Sequence, residues 1–146
     1  MSERQGEQFG FWRAQTSRGT LPATTTDVIF SATGKVKILS LRGEVTTAIQ
    51  NQACTLQLQA TDGTNDTTLC AATSIRNNGV GVIWNITGTL ANSIATSIVA
   101  GLYQHTALVM DAGDIEINTS ATNTGNVVWE VEYIPLEAGA RVTSQL

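Results

Sequence analysis

The feature that most limits what this chain can become is a two-residue alternation. Cys54, Leu56, Leu58 and Ala60 fall on one parity, and Thr55, Gln57 and Gln59 fall on the other. Successive side chains of a strand point to opposite faces, so this is the pattern of a strand buried on one side and wet on the other. The same period returns in Val80, Val82, Trp84 and Ile86, and again in Val127, Trp129, Val131 and Tyr133. No stretch sustains the i, i+3, i+4 apolar stripe of a helix. Thr, Val and Ile are abundant, and Gly, Asn and Asp interrupt them at short intervals. The expected fold is all-β: an antiparallel, jelly-roll-like β-sandwich of about eight strands.

Several elements can be placed from this pattern. A first strand is expected over residues 27–33, introduced by Pro22 and the 24–26 threonines, with Gly34 turning the chain into residues 36–47. In that second run Val36 and Ile38 hold one parity, whereas Leu39, Leu41 and Val45 hold the other. Such a switch requires a β-bulge near Leu39 or burial on both faces. Asp62-Gly63 between alternating runs predicts a hairpin, with a return strand over 67–74. Asn78-Gly79 predicts another turn. Residues 106–110 and 114–119 read as strands around a tight turn, and Pro135 ends the last strand because it lacks a ladder donor. Residues 88–104 stay open between a long loop, two short strands and one helical turn.

The organisation that follows has three parts: an extended N-terminal arm over 1–26, a body over 27–136 and a short C-terminal tail over 137–146. The arm shows no apolar period and carries an aromatic knot of Phe9, Phe11 and Trp12, with Arg13 and Arg18 close by. Aromatics and arginine dominate interface hot spots, so these five residues are the candidate anchors for a partner. Charged residues make up 14% of the chain, against about 25% in a typical soluble domain. Thr, Asn, Ser and Gln replace them, and a hydroxyl or amide costs far less to desolvate than an ion. That composition suits a body packed against neighbours. A net charge of −4 argues against nucleic-acid binding by the body. No run of apolar residues is long enough to span a membrane, and no signal-peptide pattern leads the chain.

The search for chemistry yields little. His105 is the one histidine, with no nucleophile motif to make it part of a triad. Asp111, Asp114 and Glu116 form the one acidic cluster and the weak candidate for a metal site, without EF-hand spacing. Glu130 and Glu132 project together from the last strand, opposite Trp129 and Val131. A carboxylate pair can hydrolyse glycosides, but Trp84 and Trp129 fall on apolar faces and offer no sugar platform, so these glutamates are expected to face solvent or a neighbouring subunit. Cys54 and Cys70 read as small buried hydrophobes; a disulfide would require the two positions to face each other. No catalytic residue and no cofactor is expected.

One resemblance bears on function. The polar arm, the Thr-, Asn- and Gly-rich sandwich, the hairpin at 60–66 (ATDGTND) and the closing run 127–136 (VVWEVEYIPL) together resemble the small decoration, or cement, proteins and other minor structural proteins of tailed-bacteriophage virions. The resemblance is one of architecture rather than of a diagnostic motif. It implies a non-enzymatic virion protein made in the host cytoplasm and placed on the capsid surface. It also implies a homo-oligomer, with a trimer favoured, that braces major capsid protein subunits without contacting nucleic acid or membrane. The alternatives are a tail, neck or fibre-associated component, and a carbohydrate- or receptor-binding module.

Overall fold

The computed structural model describes residues 12–16, 21, 26–100, 104 and 106–146. Among these residues twelve strands are present: β1 (Trp12–Gln15), β2 (Thr26–Thr33), β3 (Val36–Thr47), β4 (Thr55–Thr61), β5 (Asp66–Thr68), β6 (Thr73–Ser74), β7 (Val82–Asn85), β8 (Ala95–Ile98), β9 (Leu108–Met110), β10 (Gly113–Thr119), β11 (Asn126–Pro135) and β12 (Arg141–Ser144). They form two six-stranded antiparallel sheets, so the chain is the all-β sandwich expected. The first sheet runs β1-β11-β3-β7-β8, with β9 pairing β3 beyond the end of β7. The second runs β12-β2-β10-β4-β5, with β6 also on β4.

The long strands alternate between sheets along the chain: β2, β4 and β10 lie in the second sheet, β3 and β11 in the first. Most turns are therefore corners that carry the chain across the sandwich. The Asp62-Gly63 turn is a true hairpin, because Thr61 pairs Asp66 across it. The strand expected over 67–74 is split, since Leu69 and Cys70 turn inward and are buried between β5 and β6. Among the described residues of the open 88–104 stretch there is one strand, β8.

Apolar parity fixes which face of each strand is buried. Leu56 and Leu58 of β4, Ile115 and Ile117 of β10, and Val127, Trp129 and Val131 of β11 all point into the core. The parity switch in β3 is a bulge. Glu132 pairs Ser40 and Tyr133 pairs Ile38, which leaves Leu39 without a partner in the ladder. On either side of it Ile38 and Leu41 are both buried. A second bulge lies where β2 meets Ile115 and Glu116, and it lets consecutive Ile29 and Phe30 both be buried.

Trp84 and Trp129 sit at the centre with ring centroids 6.0 Å apart and planes tilted by 45°. Such a pair contributes roughly 0.5–1.5 kcal/mol beyond the area it buries. Trp129 lies over Gly43, its ladder partner, where an added Cβ would come within 2.8 Å of the indole. Trp84 places its indole N–H on Asn78 Oδ1 at 2.7 Å, so the buried donor is satisfied.

Two boundaries differ from the sequence-based organisation. Residues 12–15, assigned to the arm, are a strand of the body's own sheet, and residues 141–144, assigned to the tail, are the edge strand of the other. Trp12, Ala14 and Thr16 point inward while Arg13 and Gln15 point outward. The alternation is there, but Ala and Thr carry too little apolar weight to register as a period.

Candidate interaction surfaces

The first candidate surface is where β1 closes the sheet against β11. Trp12 pairs Tyr133, Arg13 pairs Glu132, Ala14 pairs Val131 and Gln15 pairs Glu130. Thr16 then clamps the strand: its backbone N–H donates to Trp129 O at 2.9 Å, and its hydroxyl accepts from Trp129 N–H at 2.8 Å. Ala14 and Thr16 are both buried.

On the outer side of this edge lies a network of two guanidiniums and two carboxylates. Arg13 and Arg42 both donate to Glu130, and Arg42 also reaches Glu132 at 3.2 Å. Glu132 is buried and Glu130 is nearly so, whereas the two arginines are about one-third exposed. The four charges cancel. This corrects the expectation that Glu130 and Glu132 face solvent or a neighbouring subunit: β1 and β3 flank β11 and bring an arginine to each side of it. The carboxylates are structural partners of arginine.

The five candidate anchors divide accordingly. Trp12 and Arg13 are taken up by the body, Trp12 packed against the core and Arg13 in the ion network. Phe9, Phe11 and Arg18 lie outside the described residues, as does His105. The acidic cluster is not brought to one point. Asp111 pairs Lys35 at 3.6 Å, Asp114 accepts from Ser31 Oγ at 2.5 Å, and Glu116 accepts from Gln59 Nε2 at 2.8 Å. Among the described residues no group of three His, Cys, Asp or Glu side chains is arranged to hold a metal ion. Cys54 and Cys70 are buried free thiols. Burial pushes the Cys70 thiol above its ordinary pKa, although Leu58 N–H donates to its sulfur at 3.4 Å.

The second candidate surface is the outer face of the second sheet. Thr26 donates to Asn118, Asn118 donates to Gln59 at 2.9 Å, and Gln59 in turn donates to Glu116. Gln57 donates to Cys70 O at 3.0 Å, and Thr143 reaches Ser31 O at 3.4 Å. Cross-strand bonds between short polar side chains hold this face in place, and most of its members are neutral. At one end of the sandwich, between the sheets, a cleft of about 270 Å³ is lined by Ile38, Leu41, Leu69, Leu108, Met110 and Ile115. Asp62 and Asn65 stand at the same cleft. Hydrogen bonds from Asn65 and Thr64 hold the Asp62 carboxyl below its ordinary pKa.

No family model and no curated protein matches the chain. A solved structure of infectious bursal disease virus, Gt strain, aligns over 92% of this chain and 37% of that chain at 14% identity, with a TM-score of 0.18. The chain thus spans little more than a third of the one it is aligned with, and at that TM-score the alignment carries no argument about fold or function. Among the described residues no helix is long and apolar enough to cross a membrane.

Proposed function

We propose that the chain is a non-enzymatic structural protein of a virion, and within that class a capsid decoration protein that packs on the outer shell and braces neighbouring subunits. The observation that carries this reading is the hydrogen-bonded, largely uncharged outer face of the second sheet, around Gln57, Gln59, Asn118 and Thr26. Removing these amides and hydroxyls from water costs little per group, because Gln57, Gln59, Asn118 and Thr26 each already have a partner within the chain. Its side chains are held in place, so docking orders few of them further. A surface of this kind fits a broad, weak contact repeated many times on a lattice, where multivalency supplies avidity.

The N-terminal residues ahead of β1 enter as a second point of attachment, with Phe9 and Phe11 as the apolar groups. Trp12 and Arg13 are left out of that role because the body uses them. The test is imaging and quantitative mass spectrometry of purified particles. Copies spread over the whole shell, with occupancy reduced by Gln57→Lys and Asn118→Lys, support the reading. A few copies at one vertex favour a tail, neck or fibre role, and absence from particles overturns it.

A further inference from the structure

Two turns of this chain put a glycine directly after an acid or its amide, Asp62-Gly63 and Asn78-Gly79. Both pairs have one reaction in reach. The glycine nitrogen can attack the side-chain carbonyl carbon before it and close a five-membered succinimide, and a residue with no Cβ leaves that approach open. The fold treats the two pairs in opposite ways.

At Asp62-Gly63 both reacting groups are engaged. Gly63 N–H donates to Thr61 Oγ1 at 3.0 Å. Asp62 Oδ1 accepts from the N–H groups of Thr64 and Asn65 at 2.8 and 2.7 Å, and Oδ2 accepts from Asn65 Nδ2 at 3.1 Å. Those bonds favour the ionised carboxylate, which is a poor electrophile.

At Asn78-Gly79 the same groups are left ready. Among the described residues Gly79 N–H donates to no acceptor. Gly79 lies outside every strand, between a turn closed by Asn78 N–H on Ile75 O at 3.2 Å and one closed by Val82 N–H on Gly79 O at 3.2 Å. Asn78 Oδ1 accepts the Trp84 indole N–H at 2.7 Å. That donor draws charge from the amide carbon and stabilises the negative charge that gathers on the oxygen during attack. The departing nitrogen, Nδ2, is held only by Arg76 O at 3.4 Å, on the exposed side.

We propose that Asn78 is a site of spontaneous deamidation in the folded protein. Gly79 N gives its proton to water and bonds to Asn78 Cγ. The Cγ–Nδ2 bond breaks, and Nδ2 takes up a proton and leaves as ammonia. A water molecule then opens the succinimide at either carbonyl, leaving aspartate or isoaspartate at position 78. The change falls on a joint of the core. Asn78 holds the buried Trp84 through its side chain and Ile49 N–H through its backbone oxygen, at 2.9 Å. Isoaspartate lengthens the main chain by one carbon there and adds a negative charge, so both bonds must be remade. The inference stands apart from the virion reading, since it concerns the isolated protein.

Ageing the full chain for days in mildly alkaline buffer tests it, with peptide mass spectrometry that separates aspartate from isoaspartate. The expected result is conversion at Asn78 ahead of every other asparagine, with Asp62 unchanged. Gly79→Ala should slow it by at least about tenfold, because a Cβ obstructs the attack. That variant keeps the fold, since Gly79 does not need a positive φ and its Cβ would meet open space. Aged protein should also unfold at lower urea than fresh protein, and aged Gly79→Ala should not. An Asn78 that stays intact, another asparagine converting first, or a rate indifferent to Gly79→Ala overturns the proposal. Converted protein as stable as fresh protein overturns the assigned joint at Trp84.

Discussion

The two edges of the first sheet are finished in opposite ways. At one, β1 adds a strand of the chain's own N-terminal region, and Arg13 and Arg42 hold Glu130 and Glu132 across three strands. At the other, β8 is the last strand among the described residues, with neutral and aliphatic side chains and a strained valine, Val99, just after it. One edge is sealed by ions from three strands, and the described part of the other is bordered by uncharged side chains. Charge marks the difference: the closed edge concentrates ions whose pairing depends on the right strand being in place, and the open edge excludes them.

The largest effect that would break this contrast is loss of β1. Deleting residues 1–16 removes the β1–β11 ladder, the Thr16 clamp, the cover of Trp12 and Ala14 over the core and one of the two arginines on Glu130, and should destabilise the body by at least about 3 kcal/mol. Deleting 1–11 leaves those partners in place, so equal losses in urea denaturation of the two truncations would show that β1 does not seal the edge. Glu130→Ala removes the carboxylate that Arg13 and Arg42 share, leaving Arg42 with Glu132 and Arg13 with Gln15. Because they are partly exposed, the expected loss is about 2–3 kcal/mol, between the fully buried and the surface limits.

Gly43→Ala forces the Trp129 indole to move and should cost roughly 1–3 kcal/mol, measured the same way. At the open edge the sign reverses. Val99→Asn suits a left-handed backbone and should stabilise the chain by about 1 kcal/mol. Destabilisation would remove Val99 from the argument.

Two smaller effects concern groups away from both edges. The Cys70 thiol, with its pKa raised by burial, should resist alkylation at neutral pH until the protein unfolds, as mass spectrometry of trapped adducts would report. The Asp62 carboxyl is lowered in the folded state, so its contribution is present above the ordinary aspartate pKa of about 3.9 and is lost as pH falls through the lower folded value. Asp62→Asn should remove that small acid limb from the stability profile.

Much of the sandwich was legible because burial on one face writes a period of two. β4 and β11 show it directly, and the parity switch near Leu39 left a bulge or burial on both faces, of which the register shows the bulge. Short edge strands are harder, since a four-residue strand such as Arg141–Ser144 has room for one buried valine, Val142. β1 was hidden because Ala14 and Thr16, its buried positions, are small or polar. The ion network could not be read at all. It depends on which strands flank β11, and topology of this kind is set by sheet-to-sheet crossings rather than by local pattern. The charge-free stretch between Arg76 and Asp111 was visible in the sequence, but it has meaning only once those residues are known to form a sheet edge.

Amide hydrogen exchange of the full chain tests the contrast most directly. The account predicts that amides pairing β1 with β11 exchange nearly as slowly as the centre of β11, and that β8 amides on the side away from β7 exchange far faster. Protection of those β8 amides equal to that of β11, or exchange in β1 as fast as in an unfolded chain, would contradict it.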